Sequence, residues 1–133
     1  MKSDLRIEAY GTVDELNSLM GMLGDQSAIA FQLELIREIQ HNLFTIGSHL
    51  ANDPEKSNFK LPPFDGQKVG ALEASIDEMN QTLPALTNFV LPGGHIGNST
   101  AHLARCVWRR AERRVVALHA ETSVDSSIMI YLN

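Results

Sequence analysis

The amino-acid sequence predicts an all-α protein, an up-and-down bundle of four to five helices. Apolar residues recur at helical spacing in four separate segments, which is the pattern of amphipathic helices. No segment shows the strict apolar–polar alternation that half-buried strands carry. The length of 133 residues is typical of one domain. We therefore expect a single helical-bundle domain over residues 1–133.

The first two predicted helices carry regular apolar stripes. In the first, Gly24 is expected to end the helix, and the stripe comprises Ala9, Val13, Leu16, Met20 and Leu23. In the second, the stripe comprises Phe31, Leu35, Ile39, Leu43, Ile46 and Leu50. Each stripe is expected to bury one face of its helix in a shared core. The segment 52–64 that follows holds three prolines and no periodicity, which predicts a loop.

The second half of the chain predicts two further helices and the opening of another. The third helix is followed by Pro84, and its stripe is Val69, Leu72, Ile76, Met79 and Leu83. The fourth begins near Asn98 or Ser99, since either side chain can cap it. Its apolar face comprises Leu103, Ala104, Val107, Ala111, Val115 and Leu118. Residues 124–133 have the pattern of the opening of a fifth helix.

Composition and charge exclude several classes of protein. The net charge of −5 argues against general nucleic-acid binding, which relies on positive fields. No apolar run approaches the length of a membrane span, and the N-terminal residues lack the apolar core of a signal peptide. Cys106 is the only cysteine, which excludes an intrachain disulfide and a thiolate zinc site made by this chain alone. We expect a cytoplasmic protein with no nucleic-acid or membrane partner.

Arginine is concentrated in the fourth predicted helix. Of the 11 lysines and arginines, five lie within residues 105–114. The planar fork of arginine suits bidentate contact with phosphate or carboxylate. Because the rest of the chain is acidic, this block indicates a site for a compact polyanion, such as the phosphates of a nucleotide.

On a helical wheel, one narrow sector of this helix holds Arg105, Arg109, Glu112 and Val116, with His102 and Arg113 beside it. The sector points away from the apolar face. A solvated charged face is the alternative interpretation, but such faces usually mix lysine with glutamate, and no lysine follows Lys68.

Two further charged residues need partners. Arg114 lies near the edge of the apolar face, so it must snorkel or meet an acid, which a second subunit can supply. Asp14 lies in the middle of the first helix, on a non-apolar face shared with Tyr10, Asn17 and Gly21. Either Asp14 is simply exposed, or it is the acid that an arginine meets.

The sequence closely resembles the PduO-type ATP:cob(I)alamin adenosyltransferases. The resemblance is carried by EAYGTVDELNSLMG (residues 8–21) and by FVLPGG with HLARCVWRRAERRVV (within residues 89–116). The segment IQHNLFTIGSHLA (39–51) is also similar to this family, and the final YLN resembles the opening of its last block. Two long motifs in the correct order are far more specific than one short pattern.

This resemblance implies a ferritin-like helical bundle that assembles as a homotrimer with active sites between subunits. The implied reaction moves the 5′-deoxyadenosyl group from ATP to Co(I) of cob(I)alamin and releases triphosphate, with Mg²⁺ accompanying the nucleotide. An adenosylcobalamin-dependent enzyme is the implied recipient of the product. The nucleophile is the substrate's own cobalt, so no serine, cysteine or histidine nucleophile is required.

The resemblance also implies roles for individual residues. Arg109 contacts the triphosphate and is needed for catalysis, while Arg105 pairs with Asp14 across the subunit interface. Phe89 lies under the corrin and displaces the lower axial ligand. The nucleotide site comprises Arg109, Glu112, Arg113 and Asn133. No residue of the chain is assigned to a metal site.

The sequence departs from the family pattern at its ends and at two interior positions. The family's glycine- and threonine-rich phosphate segment has no counterpart before Met1, and the end of its last helix has none after Asn133. His95 stands at a usual serine position and Trp108 at a usual cysteine position. We expect these differences at the ends to bear on ATP affinity more than on the fold.

Two other functions stay open at this point. A di-iron bundle needs two Glu-x-x-His pairs, and only Glu38 with His41 fits, so we interpret His41 and His102 as polar or interface residues. Bound iron in the purified protein would favour the di-iron interpretation. A corrinoid or nucleotide sensor that keeps the fold without turnover is the second alternative, and an adenosylation assay separates it from the transferase.

Overall fold

The computed structural model describes the backbone of residues 2–28 and 30–133 and the side chains of residues 4–28 and 32–133. It contains five helices, which are α1 (Lys2–Asp25), α2 (Ala30–Ala51), α3 (Gln67–Asn80), α4 (Ile96–Glu121) and α5 (Ser126–Leu132). These described ranges contain no strand. The predicted all-α class is therefore confirmed.

Helix α1 packs against both α2 and α4. Its ion pairs with α4 join Glu15 to Arg110 and Glu8 to Arg114, so α4 runs antiparallel to α1. Its hydrogen bonds show the same for α2. Early in α1, the Arg6 guanidinium donates to the carbonyl of Leu50 at 2.6 Å, near the end of α2. Further along, the Asn17 amide donates to the Gln40 carbonyl at 3.2 Å. Arg6 thereby satisfies a carbonyl that the end of a helix leaves without an intrahelical donor.

The core is built by the apolar stripes of α1, α2, α4 and α5. The buried apolar residues are Ala9, Val13, Leu16, Met20, Ile36, Ile39, Leu43, Ile46, Leu50, Phe64, Ala104, Val107, Ala111, Val115, Leu118, Ile128, Tyr131 and Leu132. Leu23 and Leu35 are partly buried against this cluster. The predicted stripes of the first, second and fourth helices are confirmed wherever they fall on described side chains, except at Leu103. The side chain of Phe31 lies outside the described part.

The predicted burial of the third helix is wrong. Val69 and Leu72 pack against the core only in part, whereas Ile76 is 51% exposed and Leu83, beyond the end of α3, is 61% exposed. Helix α3 contacts α5, but none of the residues of α3 is fully buried in the described structure. The apolar spacing of α3 is therefore not matched by burial.

Two helix ends also differ from prediction. Gly24 does not end α1, which continues to Asp25; a Cβ at Gly24 would lie 3.4 Å from the side chains of Leu33 and Ile36, so this glycine permits close packing on α2. The N-cap of α4 is His95, whose Nδ1 accepts a hydrogen bond from the Gly97 amide at 2.9 Å. The predicted caps, Asn98 and Ser99, lie inside the helix.

Leu103 of α4 is 52% exposed, although the sequence analysis places it on the apolar face. It shares a side of α4 with Arg110 and Arg114, at the edge of the buried residues. Between α2 and α3, residues 52–66 are non-helical, as predicted for 52–64. None of the helices in residues 2–28 and 30–133 combines the length and apolar character needed to cross a membrane.

Replacing Leu43 by alanine should lower the free energy of unfolding by about 2–5 kcal/mol, because a fully buried side chain leaves a cavity behind. Urea denaturation at one fixed protein concentration measures this. Ile76→Ala is the matched control: it also shortens an aliphatic side chain in a helix, but an exposed one, and should cost less than about 0.5 kcal/mol. Equal losses for the two variants would contradict the exposed position of α3.

Candidate functional site

Two of the five α4 arginines hold α4 against α1. Arg110 Nη2 lies 2.5 Å from Glu15 Oε2, and Arg114 Nε lies 3.6 Å from Glu8 Oε2. Arg114 thus meets an acid, as predicted, but the acid belongs to the same chain rather than to a second subunit. Because all four side chains are substantially exposed, each pair adds no more than about 1 kcal/mol. They add to a contact that the apolar residues of α1 and α4 already make.

The other three arginines lie on a different face of α4. Arg105, Arg109 and Arg113 recur at intervals of four residues, so they form one row along the helix. The Arg109 guanidinium donates to the carboxylate of Glu112 in the same helix, a pairing that the sequence analysis did not predict. The Glu112 side chain is only 15% exposed, against 54% for Arg109. Glu112 therefore holds one edge of the Arg109 fork while the rest faces solvent.

Arg105 and Arg113 form no ion pair with any residue that the structure describes. Both side chains are exposed. With Arg109 between them, they present a row of positive charge that the protein's own carboxylates only partly neutralise. Such a row suits an extended polyanion.

The end of α5 lies beside the same part of α4. The Trp108 indole Nε1–H donates to the carbonyl of Leu132 at 2.8 Å. Asn133 follows Leu132 directly and caps α5. The predicted nucleotide ligand Asn133 is therefore placed next to the α4 turn 108–112, which carries the Arg109–Glu112 pair.

Asp14 lies on the opposite side of α1 from the core, in an open groove between α1 and α2. The groove has a volume of about 390 Å³ and is lined by Asp14, Asn17, Ser18, Arg37, Gln40, His41 and Phe44. Asp14 is exposed and pairs with no described cation. Within one chain, Asp14 and Arg105 are not brought together.

Phe89 is fully exposed in the non-helical segment 81–95, which connects α3 to α4. Phe89 therefore does not lie in the core. Gly93 and Gly94 adopt φ values of 135° and 92°, a backbone conformation that favours glycine. The Gly93 amide donates to Asn98 Oδ1 at 3.0 Å, which ties this turn to the start of α4.

A buried polar pair, missed by the sequence analysis, holds α5 to α2. Asn42 Nδ2 donates to the Tyr131 hydroxyl at 3.2 Å, and the Phe64 ring meets the Tyr131 ring edge-on at 5.4 Å. Burial raises the pKa of the Tyr131 phenol, so it stays neutral and can accept this bond. A polar residue at Asn42 interrupts an apolar face of α2, which could have indicated a buried polar contact. Nothing in the sequence identifies Tyr131 as the partner of Asn42.

The residues proposed for a di-iron centre do not converge. Glu38 Oε1 lies 3.7 Å from Lys68 Nζ, and His41 is exposed. Among the residues described by the structure, no three histidine, cysteine, aspartate or glutamate side chains are grouped as metal ligands. The donor set of a di-iron bundle is therefore not assembled in this part of the chain.

The family to which the chain belongs follows from comparison with known proteins. The family model described as "Cobalamin adenosyltransferase" matches residues 1–133. The chain belongs to the cobalamin adenosyltransferase family, which confirms the family and enzyme class predicted from the sequence.

Curated relatives are corrinoid adenosyltransferases. That of Bacillus subtilis (strain 168) is 40% identical over 136 residues, covering 99% of this chain and 69% of the relative. PduO of Salmonella typhimurium is 38% identical, with 99% of this chain and 39% of the relative covered. Human MMAB is also 38% identical, with 99% and 55% covered. The chain thus spans about two fifths to two thirds of the length of these relatives.

Solved structures of variants of a relative show the same fold. A variant PduO-type ATP:corrinoid adenosyltransferase from Lactobacillus reuteri, complexed with cobalamin and ATP, superposes with a TM-score of 0.86 at 37% identity, covering 100% of this chain and 75% of the other. A second variant, complexed with ATP, gives a TM-score of 0.82 at 37% identity and the same coverage. ATP and cobalamin are the ligands that the sequence analysis predicted.

Proposed function

We propose that this chain transfers the 5′-deoxyadenosyl group of ATP to Co(I) of cob(I)alamin. The electron pair of Co(I) forms the bond to C5′, the C5′–O bond breaks, and triphosphate leaves with that bond's electron pair. The products are adenosylcobalamin and triphosphate. The observation that carries the proposal is the exposed arginine row of α4 in a member of this family.

The arginine row is suited to stabilise the leaving group. Negative charge develops on the triphosphate as the C–O bond breaks, and fixed cationic donors lower the energy of that state. Arg109 is the proposed principal contact, since the carboxylate of Glu112 orients its fork without burying it. Arg113 extends the nucleotide site along the helix, and Asn133 borders it from α5.

Phe89 is the proposed corrin contact. Its ring is fully exposed, and burial against a flat apolar macrocycle would remove that surface from water. Spacing supports both Phe89 and Arg109. The Lactobacillus variants replace a phenylalanine and an arginine that lie twenty positions apart in that chain, the separation of Phe89 from Arg109.

Mg²⁺ is proposed to enter with ATP. It keeps several waters and is held mainly by substrate phosphates in such sites. No dedicated cluster of protein carboxylates is therefore required, and the residues proposed here for the nucleotide act on its phosphates and its polar edges rather than on the metal.

The proposed assembly is a homotrimer in which Arg105 of one subunit pairs with Asp14 of the next. Both side chains are exposed, carry opposite charges and lack an ion-pair partner among the residues described.

We further propose a cytoplasmic location, since the exposed free thiol of Cys106 suits a reducing compartment. An adenosylcobalamin-dependent enzyme is the proposed recipient of the product, and residues 1–133 are proposed to form a single domain.

The purified protein should form adenosylcobalamin from ATP, Mg²⁺ and chemically reduced cobalamin. The change in the corrinoid absorption spectrum measures this reaction.

Phe89→Ala should lower turnover while the melting temperature stays close to that of the parent, because an exposed ring contributes little to the core. Leu86→Ala, in the same exposed segment, is the matched control and should affect turnover less.

Three results would contradict this proposal. Tight corrinoid binding without turnover would favour a sensor. Bound iron without turnover would favour the di-iron bundle. A Phe89→Ala variant with a large loss of stability and unchanged activity per folded molecule would remove Phe89 as the corrin contact.

Arg109→Lys should reduce kcat by roughly tenfold to a thousandfold, because lysine keeps the charge but loses the planar fork. ATP binding should change less, since a contact strengthened in the transition state acts mainly on kcat. Steady-state kinetics with ATP varied at saturating cob(I)alamin measures both. Arg110→Lys is the matched control, because Arg110 pairs with Glu15 on α1; this variant should keep parental kcat. Parental kcat in Arg109→Lys would remove Arg109 from catalysis.

Asp14→Ala should weaken the trimer, because it leaves Arg105 of the neighbouring subunit without its counter-charge. Sedimentation velocity over a range of protein concentrations measures the loss. Glu15→Ala, at the adjacent position but paired within its own chain, should keep the parental assembly. The exchange Asp14→Arg with Arg105→Asp should restore assembly. Unchanged sedimentation and kinetics in Asp14→Ala would count against the pairing.

A further inference from the structure

We propose that Trp108 is a positioning residue, which holds Asn133 in place against the nucleotide-binding face of α4. The proposal deepens the proposed function, since it rests on Asn133 contacting ATP. Trp108 itself is not placed in contact with the substrate. Its effect is exerted through the peptide that joins Leu132 to Asn133.

That peptide is held at both of its polar groups. The Leu132 carbonyl accepts from Trp108 Nε1 at 2.8 Å, and the Asn133 amide donates to the Met129 carbonyl at 3.1 Å. Because a peptide unit is planar, fixing its carbonyl and its N–H fixes its plane. The position of the Asn133 Cα follows from that plane. Of these two bonds, the indole bond is the one that comes from α4.

Contacts with other elements fix the place of α5 in the bundle. Tyr131 anchors it on one side, through Asn42 of α2 and the Phe64 ring. On the α4 side, the Trp108 ring lies 6.1 Å from the Tyr131 ring, and the indole N–H supplies a directed hydrogen bond.

The location of Trp108 on α4 makes this bond relevant to ATP. Arg109 is the next residue, and Glu112 lies one turn further on the adjoining side of the helix. The turn that carries the triphosphate contact therefore also carries the bond that sets Asn133. Since a misplacement of about 1 Å in a binding group is costly, a bond at this point couples the α5 end of the site to the α4 end.

The test is a double-mutant cycle with Trp108→Phe and Asn133→Ala. Phenylalanine keeps an aromatic ring against Tyr131 and removes only the donor. Trp108→Phe should raise the Kd for ATP, measured by calorimetry with Mg²⁺, about threefold to tenfold, the range for one neutral hydrogen bond. The KM for ATP should rise alike, and kcat should stay within about twofold of the parent. In the Asn133→Ala background, Trp108→Phe should have no further effect on ATP binding.

Four outcomes would overturn the inference, and they are distinguishable from failure of the proposed function. Additive effects of the two substitutions would show that Trp108 does not act through Asn133. Parental ATP affinity in Trp108→Phe would show that the indole bond does not matter. Parental affinity in Asn133→Ala, with intact turnover, would remove Asn133 as the contact. A lower melting temperature with unchanged ATP affinity would assign Trp108 a structural role. Absence of adenosyl transfer in the parent would instead refute the proposed function.

A measurement on the unmodified residue covers the case in which Trp108→Phe fails to fold. Trp108 is the only tryptophan of this chain, so its indole N–H gives one assignable signal in a ¹H–¹⁵N spectrum. ATP should shift this signal in the parent, and the shift should be clearly smaller in Asn133→Ala. An ATP-induced shift of equal size in both proteins would overturn the coupling.

Discussion

The packing of α1 between α2 and α4 is the constraint on which the rest of the structure depends. Helix α1 contributes Ala9, Val13 and Leu16 to the core. The small side chain of Ala9 lets neighbouring helices approach closely. The apolar face of α4 must turn toward this core, since burial of apolar surface is the main favourable term in folding. Once that face is turned inward, the opposite face of α4 has only solvent or a ligand to meet.

The rotation of α4 also decides what each arginine does. Successive residues on a helix point about 100° apart, so Arg109 and Arg110 face different surroundings despite being adjacent. Arg110 meets Glu15 of α1 and contributes to the α1–α4 contact. Arg109 points away from α1 and keeps most of its fork available. An arginine-rich segment is thus divided by helical geometry into residues that hold the helix and residues that can bind an anion.

Periodicity predicted the helices whose apolar faces are buried and failed at α3, which has no fully buried residue. Helix α3 shows the same apolar spacing as α2, but spacing states only which residues share a face, not whether another surface covers it. The cap at His95 was missed because serine, threonine, aspartate and asparagine are the preferred caps, and two such residues lie nearby. The exposure of Phe89 could not be predicted, because an apolar side chain beside a Pro-Gly-Gly turn suits either a core or a binding surface.

The candidate site could be predicted from the sequence only in its α4 half. Arg105, Arg109, Glu112 and Arg113 belong to one helix, so their mutual arrangement follows from helical geometry alone. The position of Asn133 depends instead on long-range contacts, above all the Trp108–Leu132 hydrogen bond and the Asn42–Tyr131 pair. In the proposed trimer the partner of Asp14 lies on a second subunit, which no pattern within one chain specifies.

Like charges at intervals of four residues repel each other on a helix, so the row Arg105, Arg109 and Arg113 costs stability unless anions offset it. Within the described chain, Glu112 offsets one of the three. The proposed trimer supplies Asp14 to Arg105, and the proposed nucleotide supplies phosphate to Arg109 and Arg113. Assembly and ATP binding then relieve the same repulsion, each from one end of the row. The positive charge of this row is only partly neutralised in the free chain. This is a physical reason for both the proposed subunit interface and the proposed substrate to lie along α4.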